Sequence, residues 1–292
     1  MIQELQFSYR SDQKPVFCPG CGDFGVTAAV IKALTDLKIP RHNVVVVTGI
    51  GCSSSIAHQF ATYGIHSLHG RLLPVAMGVK LANPKLTVIG AGGDGDGYGI
   101  GLNHLIHTAR RNFDLTYIVM NNEIYGLTVG QYSPTSLKGM KTKSSPYGAV
   151  DNPVNPIALA ITAGATYVAR GFSGDIPHLA ELIKNGILHK GFALIDVFSP
   201  CVTFNNYNTY DWFRERIYKL DSSNHNPKDI SKALEKALEF PNNGIDRIPI
   251  GLFYEADRPT YEEEDITVSK MSVSEADKPS RELIEEILSR YR

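Results

Sequence analysis

Cysteine is scarce in this chain, with four residues in 292. So few exclude a disulfide-stapled scaffold, and a two-cluster ferredoxin segment would need twice as many. No run of about 20 apolar residues occurs, so no membrane-spanning helix is expected. Neither sign of charge prevails: 29 Lys and Arg stand against 30 Asp and Glu, for a net charge of −1. Such a balance leaves no electrostatic footprint for nucleic acid or an anionic membrane surface. Residues 1–6 have neither a basic start nor an apolar stretch, so no signal peptide is expected. Internal repeats and low-complexity tracts are also missing. What is present is 43% hydrophobic and 20% charged residues, enough to bury a full α/β core.

The apolar pattern alternates between strand-like runs and helical spacing. Residues 1–17 read as an irregular arm. Asp23 to Lys38 then repeats apolar residues at helical spacing through Val26, Ala29, Val30, Ala33, Leu34 and Leu37. Strands are predicted at 43–48, 86–91, 115–120, 166–169, 192–198 and 248–254. Further helices are predicted at 56–63, 72–81, 101–111, 156–163, 175–188, 229–240 and 281–291, with 64–71 a loop. Continuous apolar strands point to a parallel sheet covered on both faces. Segment 130–156 carries Gly, Pro, Ser and Lys with little periodicity, and a loop that long is functional or disordered. After Cys201 the composition shifts toward polar and aromatic residues. The fold class expected is α/β, a mostly parallel sheet flanked by helices, with a C-terminal extension.

Gly93-Asp94-Gly95-Asp96-Gly97 follows one strand, and Asn121-Asn122-Glu123-Ile124-Tyr125-Gly126 follows the next. Ligands of open parallel sheets bind beyond the C-terminal strand ends. There Asp94 can give a carboxylate oxygen, Asn122 an amide oxygen and Ile124 a backbone carbonyl. Such a hard oxygen set suits Mg²⁺ beside phosphate. The glycines let backbone N–H groups approach a diphosphate, and the following helix N-terminus favours its charge. Gly90 to Gly95 also fits G-x-G-x-x-G, but a nicotinamide site wants an acid at the end of the next strand. Asp114 comes before that strand instead. A merely structural glycine turn would leave two aspartates within five residues unexplained.

Cys18 and Cys21 form Cys-Pro-Gly-Cys-Gly, Cys52 lies in Gly-Ile-Gly-Cys-Ser, and Cys201 ends Phe-Ser-Pro-Cys. Four thiolates hold one [4Fe–4S] cluster or one zinc ion. Structural zinc sites usually bring two close pairs. Here the other two cysteines stand 31 and 180 positions beyond Cys21, a scatter that favours a cluster docked on a preformed domain. Reduced thiols imply a cytoplasmic setting. His104 and His107 read as packing or surface residues.

In combination, Gly93-Asp94-Gly95 with Asn121-Asn122, Cys-Pro-Gly-Cys-Gly-Asp, Gly-Ile-Gly-Cys-Ser-Ser and His69-Gly70-Arg71 resemble the β subunit of 2-oxoacid:ferredoxin oxidoreductases. The resemblance runs from about Phe17 to Cys201 and weakly through Tyr254 and 259–263. It implies a thiamine-diphosphate-binding fold. It implies that Ile50, Gly51, Cys52, Ser53, His69, Asp94, Gly95, Asp96, Asn122, Gly126 and Leu127 line the thiamine diphosphate. Asp94, Asn122 and the Ile124 carbonyl would hold Mg²⁺, and Cys18, Cys21, Cys52 and Cys201 the [4Fe–4S] cluster. Residues 1–200 would be the thiamine diphosphate and Mg²⁺ domain with its cluster-binding arm, and 201–292 an extension carrying the fourth cysteine. Some relatives carry asparagine at the position of Leu127; leucine removes a polar contact near the thiazolium and bears on substrate choice.

The implied reaction is coenzyme A-dependent oxidative decarboxylation of a 2-oxoacid, 2-oxoglutarate first and pyruvate next. Electrons would leave through the cluster to ferredoxin, and in reverse the enzyme would be a CO₂-fixing synthase. The glutamate that activates the aminopyrimidine is expected on an α subunit, giving a heterodimer or (αβ)₂. Lys138, Lys141 and Lys143 read either as a solvated face or as a rim meeting coenzyme A phosphates or acidic ferredoxin. Two other readings stay open: a cluster-bearing redox scaffold or sensor without turnover, and an NAD-dependent dehydrogenase with structural zinc.

Overall fold

A computed structural model describes residues 8–270, 273 and 279–291. The first seven residues of the expected arm, including the stretch read for a signal peptide, lie outside the described residues, as does part of the 201–292 extension. The strands are β1 (Val44–Thr48), β2 (Tyr63–His66), β3 (Thr87–Gly93), β4 (Leu115–Asn121), β5 (Ile124–Tyr125), β6 (Gln131–Tyr132), β7 (Tyr167–Phe172), β8 (Phe192–Phe198), β9 (Ile217–Lys219) and β10 (Ile248–Glu255). Eight of them form one sheet in the order β2-β1-β3-β4-β8-β7-β10-β9, while β5 and β6 make a small hairpin. All pairings in the large sheet are parallel except β7 with β10.

The central strands are mostly apolar because both faces are covered. Every residue of β1, β4 and β8 is buried. Helices α1 (Asp23–Leu37), α2 (Leu72–Ala82), α3 (Leu102–Arg111), α4 (Pro156–Ala163) and α5 (Ile176–Leu188) supply the layers. On one face α1 and α5 pack Val26, Val30, Leu34, Leu179 and Ile183 against Val46, Ile118 and Ile195. On the other, α2, α3 and α4 pack Leu73, Leu105 and Ile157 against Val45, Val119 and Leu194. Sequence sets the helix starts. Asn155 and Asp175 each accept a backbone N–H three residues on, and each is followed within two residues by proline.

Downstream of Cys201 lie α6 (Tyr210–Arg216), α7 (Ile230–Ala237), α8 (Tyr261–Glu264), α9 (Ile266–Lys270) and α10 (Arg281–Ser289). β10 joins the main sheet against β7, so part of this segment is built into the core. The expected helix over 56–63 and loop over 64–71 are corrected. Ser53–Gln59 is a 3₁₀ segment, and β2 occupies Tyr63–His66 in parallel register with Val45–Thr48. β2 is an edge strand exposed at every position, so it carries no apolar alternation to read. Among the described residues, no helix is long and apolar enough to cross a membrane.

Candidate functional site

Four neighbouring strands, β1, β3, β4 and β8, all point the same way, so their C-terminal ends open at one edge of the sheet. Ile50 to Ser53 follow β1, Asp94 to Asp96 follow β3, Asn122 to Leu127 follow β4 and Cys201 follows β8. The first three of these loops enclose a cavity of about 480 Å³. Its wall contains Ile50, Gly51, Cys52, Ser53, His69, Asp94, Gly95, Asp96, Asn122, Ile124, Gly126 and Leu127. Thus every residue expected at the cofactor or Mg²⁺ position faces one space. Gly93, Tyr125, Thr128 and Gln131 complete the wall; Gly93 and Tyr125 fall inside the two motifs, while nothing in the sequence marks Thr128 or Gln131.

Asp94 is buried at the end of β3, where its Oδ2 accepts hydrogen bonds from Ser133 Oγ (2.5 Å) and Thr135 Oγ1 (2.6 Å). No cationic side chain among the described residues pairs with it. Burial therefore pushes its carboxyl up to about 6, with the two hydroxyls pulling the other way. Thr135 Oγ1 also lies 2.8 Å from Asn121 Oδ1, and Asn121 Nδ2 donates to Asp196 Oδ1 at 3.1 Å. The long segment after Gly130 is thus anchored at its start by the site itself. Asn122 Oδ1 accepts the Ile124 N–H at 3.0 Å, which shapes the turn between β4 and β5. Between them Glu123 adopts a left-handed φ of 57°, a strained state for a residue with a side chain.

Asp96 fastens the loops together. Its Oδ1 accepts the backbone N–H of Ile50 (3.0 Å) and of Gly70 (2.7 Å), and His69 Nδ1 stands 3.0 Å away. A Cβ on Gly49 would come within 2.1 Å of Asp96 Oδ2, so glycine there is what allows the close approach. Gly95 is equally constrained: a Cβ would meet the Tyr125 ring at 2.1 Å, and Tyr125 donates its hydroxyl to the Gly95 carbonyl at 3.2 Å. Gly51, with φ 134°, has open space where a Cβ would be. Residues Gly95–Ile100 form a π-turn that leads into α3, with its first residues against the cavity.

The cysteines gather behind this wall. All four are free thiols, with Cys18 exposed. A Cβ on Gly126 would lie 3.5 Å from Cys52 Sγ and 3.8 Å from Cys201 Sγ, so these two sulfurs flank one cavity-lining glycine. The Gly22 N–H donates to the Pro200 carbonyl at 3.1 Å, which brings the Cys18–Cys21 turn to the end of β8. Burial, then the charge of Asp23, pushes the Cys21 thiol far above its ordinary value, and the same causes raise Cys52. Asp23 is itself buried and raised, with Ser199 Oγ donating to it at 2.6 Å. Among the described residues no three His, Cys, Asp or Glu side chains are grouped tightly enough to bind a single metal ion.

Two buried ionisable residues beneath the site leave little trace in the sequence. Arg170 pairs through Nε with Asp196 Oδ2 at 3.0 Å and stacks on Phe198, Phe240 and Phe253. Glu123 has no partner for either carboxylate oxygen, and burial raises its acid well above the usual range. Both face a second cavity of about 150 Å³. The only signal is a charge inside an apolar strand for Arg170, and none for Glu123. Asp114, weighed for a nicotinamide ribose, lies at the opposite edge of the sheet, paired with Lys80 at 3.0 Å and Lys190 at 3.3 Å.

Residues 49–197 match the thiamine pyrophosphate enzyme family, C-terminal TPP binding domain, and residues 201–270 match the C-terminal family of the pyruvate ferredoxin oxidoreductase beta subunit. A 2-oxoacid:ferredoxin oxidoreductase subunit beta of Sulfolobus is 49% identical over 256 residues, covering 85% of this chain and 84% of that one. The 2-oxoglutarate synthase subunit KorB of Methanocaldococcus jannaschii is 40% identical, covering 87% and 93%. Among solved structures, the 2-oxoglutarate:ferredoxin oxidoreductase of Magnetococcus marinus, with 2-oxoglutarate, coenzyme A and succinyl-CoA bound, superposes with a TM-score of 0.87 at 38% identity. That match covers 97% of this chain and 94% of the other.

Proposed function

The chain belongs to the β subunits of the 2-oxoacid:ferredoxin oxidoreductases, and from that membership we propose that it holds thiamine diphosphate, Mg²⁺ and a [4Fe–4S] cluster for coenzyme A-dependent oxidative decarboxylation of a 2-oxoacid. A cluster held there would pass the electrons to ferredoxin, and the reverse reaction would fix CO₂. 2-Oxoglutarate is the favoured substrate, because relatives are named for it and the similar solved enzyme binds it; pyruvate is next. We take residues 1–200 as the cofactor domain with its cluster arm, and 201–292 as an extension carrying Cys201.

One observation carries this reading: a single cavity at three adjacent strand ends joins an uncompensated buried carboxylate, Asp94, to the sulfur of Cys52. Its volume lies in the range of cofactor pockets. Asp94 lacks a cation, and Mg²⁺ supplies one; Asn122 Oδ1 and the Ile124 carbonyl complete the protein's oxygen set. The open side of Gly51 and the amides opening the π-turn suit a diphosphate. The raised thiols of Cys21 and Cys52 want positive charge nearby, which the irons of a cluster held by Cys18, Cys21, Cys52 and Cys201 provide.

When bound, thiamine diphosphate would supply the carbanion chemistry that decarboxylation of a 2-oxoacid needs. The chain's own residues do the rest by position. Asp96 locks the loops after β1 and before α2, so Ile50, Gly51 and His69 keep their places around the ring system. Gly126 lets the Cys52 and Cys201 sulfurs approach the cavity, which keeps an electron's path short. The aminopyrimidine-activating glutamate comes from an α subunit, in a heterodimer or (αβ)₂. Exposed Leu127 in the cavity wall, with exposed Leu68 next to His69 and Ile100 against Gly70, is the kind of apolar surface an obligate partner covers. The reducing cytoplasm suits the four free thiols.

The test is reduction of methyl viologen by the anaerobic αβ complex with 2-oxoglutarate or pyruvate plus coenzyme A. Activity with at least one 2-oxoacid, dependent on thiamine diphosphate and on the α subunit, is the expected result. A complex that binds no thiamine diphosphate would overturn this reading in favour of a redox scaffold.

A further inference from the structure

We propose that the surface over Cys18 and Cys201 is the docking site for an acidic ferredoxin, built from an apolar centre and exposed lysines on the segments that meet there; this rests on the function proposed above.

Three segments meet there: 14–22, 130–150 and 201–210. Val202 packs against the Cys18–Cys21 turn, 3.8 Å from where a Gly20 Cβ would be. Phe204 lies 3.5 Å from the corresponding point on Gly130. The Lys141 N–H reaches the Tyr207 hydroxyl at 3.4 Å, which ties the lysine-bearing stretch to the chain that follows Cys201. The Asn205 N–H donates to the Cys201 carbonyl at 3.1 Å and closes that chain on itself.

The charge of this surface differs from that of the whole chain. The three segments contain Lys14, Lys138, Lys141 and Lys143 and no Asp, Glu or Arg, although the chain as a whole carries a net charge of −1. Of the acids that directly flank them, Asp23 is buried, Asp151 accepts the Tyr132 hydroxyl at 2.9 Å, and Asp211 pairs with Arg214. All four lysines are exposed, and none makes an ion pair with a described residue. The same segments expose Val16 (70%), Val202 (44%) and Tyr207 (47%), along with Cys18. A small apolar centre with a one-signed polar rim is the form of an interface steered by charge.

Chemistry selects the occupant. Oxidative decarboxylation of a 2-oxoacid releases two electrons, and two one-electron carriers must each arrive, take one and leave in every turnover. A redox encounter of that kind is small and transient. Its rate is raised by complementary charge and falls with salt. The carrier that fits a lysine rim over a cluster ligand is a small electron-transfer protein with an acidic face.

The αβ complex carrying Lys141→Glu with Lys143→Glu is assayed with an acidic ferredoxin and with methyl viologen, across a range of salt. The expected result is a KM for ferredoxin raised at least about tenfold and a flattened salt dependence of kcat/KM, with viologen-linked kcat and the KM for coenzyme A unchanged. The Lys141→Arg, Lys143→Arg pair should restore the ferredoxin KM. An unchanged ferredoxin KM would overturn the proposal, as would a raised KM for coenzyme A, which would assign the lysines to its phosphates. Equal loss of viologen and ferredoxin rates would also overturn it, by pointing to cluster damage. Viologen reduction by the unaltered complex reports separately on the underlying function.

Discussion

Asp94→Asn should weaken cofactor binding and strengthen the metal-free protein at the same time. The side chain is buried without a cation, and its carboxyl rises from 3.8 to about 6. A raised folded value means that the folded state holds its proton more tightly than the unfolded one. The penalty is therefore absent below pH 4, grows between about 4 and 6, and is complete above that window. At ~1.36 kcal/mol for each tenfold in proton affinity, it amounts to roughly 3 kcal/mol at pH 7.5. Asparagine keeps the shape and removes the charge. Metal-free Asp94→Asn enzyme should gain about 3–6 °C in Tm at pH 7.5 and little at pH 4. With Mg²⁺ present the sign reverses. Removing the charged partner of a buried ion costs about 3–5 kcal/mol, or ~10²–10⁴-fold in affinity. Calorimetry on chelator-treated enzyme and thiamine diphosphate titration with Mg²⁺ give the two readings. Normal cofactor occupancy in the variant, or a metal-free Tm below that of the parent, would refute the assignment of Asp94.

Other perturbations separate the parts of the site. Cys201→Ser should lower iron and sulfide below four per chain while thiamine diphosphate still binds; full iron content would exclude Cys201 as a ligand. Gly95→Ala drives a methyl group to 2.1 Å from the Tyr125 ring, so it should cost about 1–3 kcal/mol in urea denaturation and narrow the cavity enough to lower thiamine diphosphate affinity. Arg170→Met leaves Asp196 as an unpaired buried carboxylate and should destabilise by about 3–5 kcal/mol; a change under about 1 kcal/mol would show that Tyr98 and Asn121 suffice to hold it.

The parts legible in the sequence are those governed by local pattern. β1, β4 and β8 are buried on both faces, so their residues are mostly apolar, with Asp196 the one charged side chain among them. Asp94 and Asn122 can be placed together from spacing because they end adjacent parallel strands, where Gly93 pairs with Met120. Residues that act across long separations leave no such trace. Ser133 and Thr135 reach back 39 and 41 positions to Asp94 from a stretch that looks merely irregular. Glu123 reads as a turn residue, and only the fold reveals that its carboxylate is buried beside Asn122. The π-turn at Gly95–Ile100 is hidden by its glycines, which carry no apolar period. α6 and β9 escape detection because they are short and lie in the polar, aromatic stretch after Cys201.

The exposed margin at β2 has a consequence for how the protein must be made. One side of this strand pairs with β1, and no strand among the described residues pairs with the other, where Tyr63 and Ile65 are exposed. An open edge of this kind is a template on which other strands add, and natural proteins cover, charge or interrupt such edges to avoid aggregation. Neither lysine nor proline blunts its four residues. Newly synthesised chains without a cover for that edge would add to one another, so the relative timing at which subunits leave the ribosome becomes a determinant of yield. Co-translation with whatever protein caps the edge would then matter as much to recovering soluble material as anoxic handling does to preserving its thiols.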